Sequence, residues 1–234
     1  MPVLPGDPPV EVHLRRAARA RRFSLRVSRL DGKVTLSLPP RAREADALAF
    51  LAEQEGWLRR TLQRMPESQA SPVGMGTLLP VEGRLLRLEP GTGRAIRVEG
   101  DRLLVPGDPA RAAARVAAWL KVLARDRLAL ASTRYAAQVG RRYGKLVLRD
   151  TRSRWGSCSH DGTLMYSWRL IMAPPSVLEY VAAHEVAHLV EMNHSPDYWA
   201  VVEGIFPGWK RQRAWLHDQG GGLHRYRFST GAED

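Results

Sequence analysis

Cysteine is all but missing from this 234-residue chain: Cys158 stands alone. One thiol cannot form an internal disulfide, which fits a reducing compartment, most simply the cytoplasm. Long apolar runs are missing as well. None approaches the ~20 residues that a membrane span requires, so no membrane partner is expected. The opening MPVLPGDPPVEV has no charged segment leading into an apolar one, so no secretory signal is expected. No internal repeat and no low-complexity tract is evident. What is present, 44% hydrophobic and 26% charged residues, reads as an ordinary globular protein of one large domain or two small ones.

The net charge of +12 is unevenly spread. Residues 1–150 hold 28 basic against 15 acidic side chains, whereas residues 151–234 hold 8 against 9. Between Arg15 and Arg29 there are seven arginines and no acid. Such a stretch suits nucleic acid, with Arg15, Arg16, Arg19, Arg21 and Arg22 as candidate contacts. A compositional origin competes with that reading, because 32 of the 36 basic residues are arginine.

Along the chain, Phe23, Leu25 and Val27 alternate with polar residues, Asp31-Gly32 offers a turn, and Val34, Leu36 and Leu38 alternate again. This predicts a β-hairpin with one buried face. A helix is expected over Glu44–Met65, with Leu48, Leu51, Trp57, Leu58 and Leu62 near one stripe. Residues 66–80 read as a linker or long loop. Short strands are expected around Leu85–Leu88, Ala95–Glu99 and Leu103–Val105. Asp108-Pro109 then caps a long helix running to about Val139. Lys145–Arg149 and Leu164–Leu170 read as strands, and Thr151–Ser159 as polar and irregular. Pro174-Pro175-Ser176 opens a helix expected to reach about Met192.

That helix contains His184-Glu185-Val186-Ala187-His188. Residues four apart on an α-helix differ by only ~40° in direction, so both imidazoles leave the same face and can share a tetrahedral zinc ion. Glu185 lies beside the metal rather than on it, where a carboxylate can take a proton from activated water. The flanks are apolar, and buried histidines need partners. Five-residue patterns do arise by chance, but helical context and a nearby third donor argue against chance here.

A catalytic zinc needs a third protein ligand. His194 is preferred, with Glu191 and Glu203 as alternatives. On an unbroken helix His194 would point about 240° away from His188. A helix stop at Asn193 and a new helix capped by Ser195-Pro196 would fold it back. In the preceding loop, Arg154 or a backbone amide could stabilise an oxyanion. The competing view of the loop is a fold that buries Trp155 and braces the helix. Tyr198 is a second candidate for contact with substrate. Cys158 is expected to be a small buried thiol, and His13, His160, His217 and His224 surface residues.

SRWGSCS (153–159), WRLIMAP (168–174), YVAAHEVAHLVEMNHSPDYW (180–199) and FPGW (206–209) resemble the YgjP-like predicted metallopeptidases, relatives of the SprT and WLM (Wss-type) zinc proteases. The resemblance is strong over roughly 150–218 and looser before that. It implies zinc held by His184, His188 and His194, with Glu185 as catalytic acid/base. Ser167 stands where the family often has Asn, which touches a local hydrogen bond and not the metal site.

The expected architecture is α+β. A zincin-like catalytic region (108–234), its motif helix packed on a small sheet, follows a basic, β-rich amino-terminal region (1–107). The expected function is zinc-dependent hydrolysis of peptide bonds in a protein or peptide substrate. In a narrower version the enzyme acts on DNA-bound or DNA-crosslinked proteins. The alternative is a nucleic-acid-binding protein with a structural zinc site.

Overall fold

A computed structural model describes residues 2–28, 32–63 and 71–228. The chain divides into two compact units, Met1–Gln69 and Ala70–Asp234. The division therefore falls well before the 107/108 boundary expected from the sequence.

In the first unit, strands β1 (Val3–Leu4), β2 (Val10–Arg16), β3 (Ser24–Val27) and β4 (Val34–Leu38) form one sheet in the order β1-β2-β4-β3. The expected hairpin is β3 with β4, Leu25 opposite Leu36 and Val27 opposite Val34. Asp31 of its turn lies outside the described residues. Alternation buries Val34, Leu36 and Leu38 on one face, where Leu51 and Leu58 join them. Those two leucines come from α1 (Glu44–Glu53) and α2 (Glu55–Gln63). The single helix expected here is broken at Gln54, whose N–H is shared between the carbonyls of Phe50 and Leu51. Gly56, a poor helix former, follows the break. The apolar stripe breaks with the helix, leaving Leu48 and Trp57 exposed. Of the tail of that predicted helix, Arg64 and Met65 lie outside the described residues.

The second unit begins with β5 (Ser71–Pro72). Strands β6 (Leu78–Val81), β7 (Arg84–Gly91), β8 (Arg97–Glu99) and β9 (Arg102–Pro106) form a sheet in the order β6-β7-β9-β8. β6 replaces part of the predicted linker, whose residues 66–70 lie outside the described residues. Its pairing with β7 buries Leu79 and Val81. Asp108 accepts from Ala110 N at 2.9 Å and starts a 3₁₀ turn, which runs into the 27-residue helix α3 (Ala112–Gln138). Val116, Leu120, Ala124, Leu128, Ala131 and Tyr135 recur three or four positions apart and are all buried. Small alanines among them let α3 pack both on β9 and on the helix that carries the motif.

A second, three-stranded sheet follows, in the order β10-β12-β11, from β10 (Leu146–Arg149), β11 (Gly156–Cys158) and β12 (Leu164–Ser167). β11 lies in the stretch read as irregular. β12 stops at Ser167, short of the predicted Leu170, because Trp168–Met172 winds into a fully buried 3₁₀ turn. Helices α4 (Pro175–Ala187), α5 (Pro196–Ile205) and α6 (Lys210–Asp218) complete the unit. A 3₁₀ turn (Gly220–Arg225) then leads to β13 (Tyr226–Arg227), which pairs with β5 and ties the end of the unit to its start. The architecture is α+β, with α4 packed beside the small sheet. Among the described residues, no helix is long and apolar enough to cross a membrane.

Candidate metal centre

α4 opens with Pro175 in its first turn, where a missing N–H costs nothing. Its apolar sides are buried by Val177, Leu178, Val181, Ala182, Val186 and Ala187. Glu179 fastens it to α3, pairing with Arg134 and accepting from the Tyr135 hydroxyl at 2.8 Å. The two motif histidines thus stand on a helix braced from behind.

The helix ends five residues before the predicted Met192. His188 is its C-cap, and Leu189, Val190 and Glu191 continue in tight turns onto Val186 and Ala187. No left-handed residue is used at Asn193, since Glu82 is the one non-glycine residue with positive φ among the described residues. Ser195 caps α5 as expected, its hydroxyl accepting from Tyr198 N at 3.2 Å. The short 189–195 segment returns His194 to the motif. His194 Nε2 comes within 3.3 Å of His184 Nε2, and one nitrogen from each of His184, His188 and His194 lies within 4.8 Å of the others.

The surroundings fix these rings. His188 Nδ1 meets the Glu191 carbonyl at 3.1 Å, which makes Nδ1 the protonated nitrogen and leaves Nε2 with a free lone pair. Tyr198 stacks on His188 with ring centroids 4.5 Å apart and donates its hydroxyl to the His184 carbonyl at 2.9 Å. Trp199 covers His184 and His194 from the side. Burial first, then the neighbouring histidines, lowers His184 to a pKa of about 3, and burial also lowers His188. Both rings are therefore neutral near pH 7, the form that ligates a metal.

Glu185 is only 5% exposed. Burial raises its pKa to about 8, against the opposing charge of Arg154. Its carboxyl lies against Gly156 of β11: a Cβ there would stand 2.5 Å from Glu185 Oε1 and 2.6 Å from Cγ. Gly156 is thus a site residue that sequence reasoning missed. Its only signal was its place in the Trp-Gly-Ser-Cys stretch.

Three imidazoles converging beside a buried carboxylic acid could hold a divalent metal next to a proton carrier. Comparison with known proteins agrees. The profile of the YgjP-like family, metallopeptidase domain, matches residues 21–219. The chain belongs to that family. The solved metallopeptidase zymogen of Pyrococcus abyssi abylysin is similar at 22% identity, over 39% of this chain and 95% of that one, with a TM-score of 0.36. No curated protein matched.

The remaining candidates of this YgjP-like chain fall as follows. Glu191 contributes its carbonyl, and the Glu203 carboxylate accepts from Gly208 N at 3.4 Å; neither carboxylate joins the histidine cluster. Arg154 is exposed, with its charge acting on Glu185. Tyr198 is fully buried with its hydroxyl committed to His184, so it braces the site from below and does not reach into it. Cys158 is half-buried, its thiol pushed up to about 11 by burial and by Glu185, and it stands apart from the histidines. His160 and His217 are exposed, and His13 is partly exposed. His224 departs from expectation: it is partly buried against Trp155, ring centroids 5.1 Å apart, because the carboxy-terminal turn folds onto the 153–159 loop. Arg15, Arg16, Arg19, Arg21 and Arg22 are all exposed in the first unit. Arg16 is tied to the carbonyls of Pro40 and Ala42 at 2.9 Å each.

Proposed function

We propose that the chain is a zinc-dependent peptidase, with His184, His188 and His194 as ligands and Glu185 as general base and acid. The observation that carries this reading is the three-histidine cluster beside a buried Glu185. The donors fit the metal. Imidazole nitrogens about 2.0–2.1 Å from a tetrahedral zinc stand about 3.3 Å apart, and His184 Nε2 and His194 Nε2 are 3.3 Å apart. When bound, zinc supplies Lewis acidity toward a carbonyl oxygen and acidifies water.

The chain's own residues do the rest. Burial raises the pKa of Glu185 to about 8; a cation held at the triad would favour the carboxylate and lower that value again, leaving a group that can both accept and return a proton near neutral pH. It accepts one as water attacks the carbonyl and delivers it to the leaving amine. β11 is an edge strand of its sheet, so an extended peptide can pair with its free side and pass the Glu185 carboxyl. Arg154 is the candidate donor to the oxyanion, since Tyr198 is committed elsewhere.

The decisive experiment pairs metal analysis with peptide cleavage. Glu185→Gln should keep about one zinc per chain and lose at least about a hundredfold in kcat. His194→Ala should lose zinc affinity. Cleavage by Glu185→Gln at the parent rate would end the proposal, and would favour a structural zinc in a nucleic-acid-binding protein.

We also propose that the first unit binds DNA and so directs the enzyme to proteins bound or crosslinked there. The exposed Arg15, Arg19, Arg21 and Arg22 support this reading. Affinity for a DNA duplex should fall steeply with salt as counterions are released, with a slope of about −0.9 per phosphate neutralised. Changing these four to glutamine should flatten that slope; absent binding at low salt would remove the DNA role and leave the peptidase.

A further inference from the structure

Beside His188 a cavity of about 330 Å³ opens in the second unit. Its walls include Arg141, Arg142, His160, Asp161 and Met192, and His188 itself. We propose that this cavity is the enzyme's side-chain pocket and that it takes an acidic residue of the substrate through Arg141 and Arg142. The proposal rests on the peptidase reading above and names the substrate class for it.

Position is the first argument. His188 belongs both to the histidine cluster and to the cavity wall, so whatever fills the cavity lies next to the reacting centre. Ser159–Gly162, another wall, follows directly from edge strand β11. A peptide paired along β11 therefore reaches the cavity about three residues from the point where it passes Glu185.

Charge is the second. Among the described residues, no partner is found for the Arg141 or Arg142 guanidinium. Their backbone is nevertheless well placed: Gly140, at φ +64°, turns the chain out of α3, and Arg141 N bonds back to the Ala136 carbonyl. Two free guanidinium groups thus project from a fixed turn. Asp161 keeps its negative charge and offsets one of the two, but its carboxylate is held by its own loop and pairs with neither guanidinium, so the arginines still outnumber it. It accepts from Ser159 Oγ at 2.5 Å, Thr163 N at 3.1 Å and Thr163 Oγ1 at 3.0 Å. A planar guanidinium fork matches a carboxylate with two parallel hydrogen bonds. The volume, at the small end of the roughly 300–1,000 Å³ of ligand pockets, suits one side chain. Met192 gives its methylenes an apolar wall.

The test uses acetylated, amidated alanine hexapeptides with a single Glu, Gln or Lys placed at each position in turn. Binding is measured by calorimetry on zinc-loaded Glu185→Gln protein, and cleavage on the zinc-loaded parent by mass spectrometry. At one position Glu should bind about tenfold more tightly than Gln, the sum of two exposed charge pairs, and Lys more weakly than either. Cleavage should fall at a fixed distance from that Glu. The double charge reversal Arg141→Glu/Arg142→Glu should turn the preference toward Lys, with zinc content unchanged. If the reversal disturbs folding, Arg141→Gln/Arg142→Gln should simply erase it.

Equal binding of Glu and Gln peptides, or a preference that survives both double variants, overturns the proposal. Cleavage without an acidic preference defeats the pocket and spares the peptidase. A preference in binding with no cleavage by the parent does the reverse.

Discussion

The two units contain the same sheet twice. In β1-β2-β4-β3 and in β6-β7-β9-β8 the pairings run antiparallel, parallel, antiparallel, and each sheet is followed by helix. In both, the central parallel pair aligns five residues, from Val12↔Val34 and from Arg87↔Arg102. They differ in what the helix does next. After the first sheet it breaks at Gln54 into two short pieces, packed on the sheet with Leu48 and Trp57 left exposed. After the second it runs unbroken for 27 residues and is buried from the sheet side and from the α4 side. A sheet with a covering helix is thus a finished structure in one unit and a platform for the histidine cluster in the other. The deciding feature is whether the helix has a second apolar side, which the alanines of α3 provide.

The strongest way to break this comparison is a matched pair of core truncations. Leu58 and Leu128 are both fully buried, each in the helical part that follows its sheet. Removing a buried leucine side chain costs about 2–5 kcal/mol. Leu128→Ala should lower the unfolding midpoint of the second unit and weaken zinc binding with it, because α3 braces α4 through Glu179. Leu58→Ala should cost a similar amount in the first unit with zinc affinity unchanged. Denaturant unfolding with zinc titration checks both. Equal loss of zinc affinity in the two variants would show that the platform role is not confined to α3.

The contrast also explains what could be read from the sequence. His184, Glu185 and His188 were legible because helical periodicity alone puts them on one face. His194 was legible because Ser195-Pro196 announces a new helix, even though the stop itself uses tight turns at His188 and not Asn193. The repeated sheet was not legible, since strand order depends on pairings between segments far apart and the two copies carry different side chains. β6 escaped because Leu79 and Val81 flank Pro80 in a stretch rich in turn residues. Gly156 escaped for a similar reason: its importance lies in what a side chain there would strike, and that is fixed by α4, not by its neighbours in sequence.

Gly156 supplies the next test, one with no counterpart on the first sheet. In Gly156→Ala the new methyl would meet Glu185 at 2.5–2.8 Å, so the carboxyl must move. Overpacking of this kind costs about 1–3 kcal/mol. A displacement of about 1 Å at a catalytic group can cost about a hundredfold in rate. Zinc content should stay at the parent value while kcat falls and KM changes little. Parent-like kcat would show that Glu185 tolerates a different position and that β11 does not set it.

The smallest expected effect concerns how the second unit closes on itself. The first unit has a simpler fastening, in which Arg59 of α2 donates to the carbonyls of Pro5 and Pro8. In the second unit, buried Arg169 binds Asp150 and donates to the carbonyls of Leu223 and Tyr226, and His224 packs on Trp155. His224 Nδ1 is buried without a hydrogen-bond partner, and burial, with Arg169 adding to it, lowers its pKa from 6.5 to about 4. A lowered folded value means that the unfolded chain binds the proton first as pH drops. The stability due to neutral His224 is therefore complete above about pH 6.5 and is lost progressively toward pH 4. The ring keeps some access to water, so a contribution of about 1 kcal/mol is expected between pH 7.5 and pH 5. His224→Phe keeps the stacking on Trp155 and removes the titration. Its second-unit transition should lose about 1 kcal/mol less than the parent's over that interval. His184 and His188 titrate alike in both proteins and cancel in the difference. Identical losses in parent and variant would mean that the carboxy-terminal turn opens before His224 takes up its proton, making the closure a weaker fastening than its hydrogen bonds suggest.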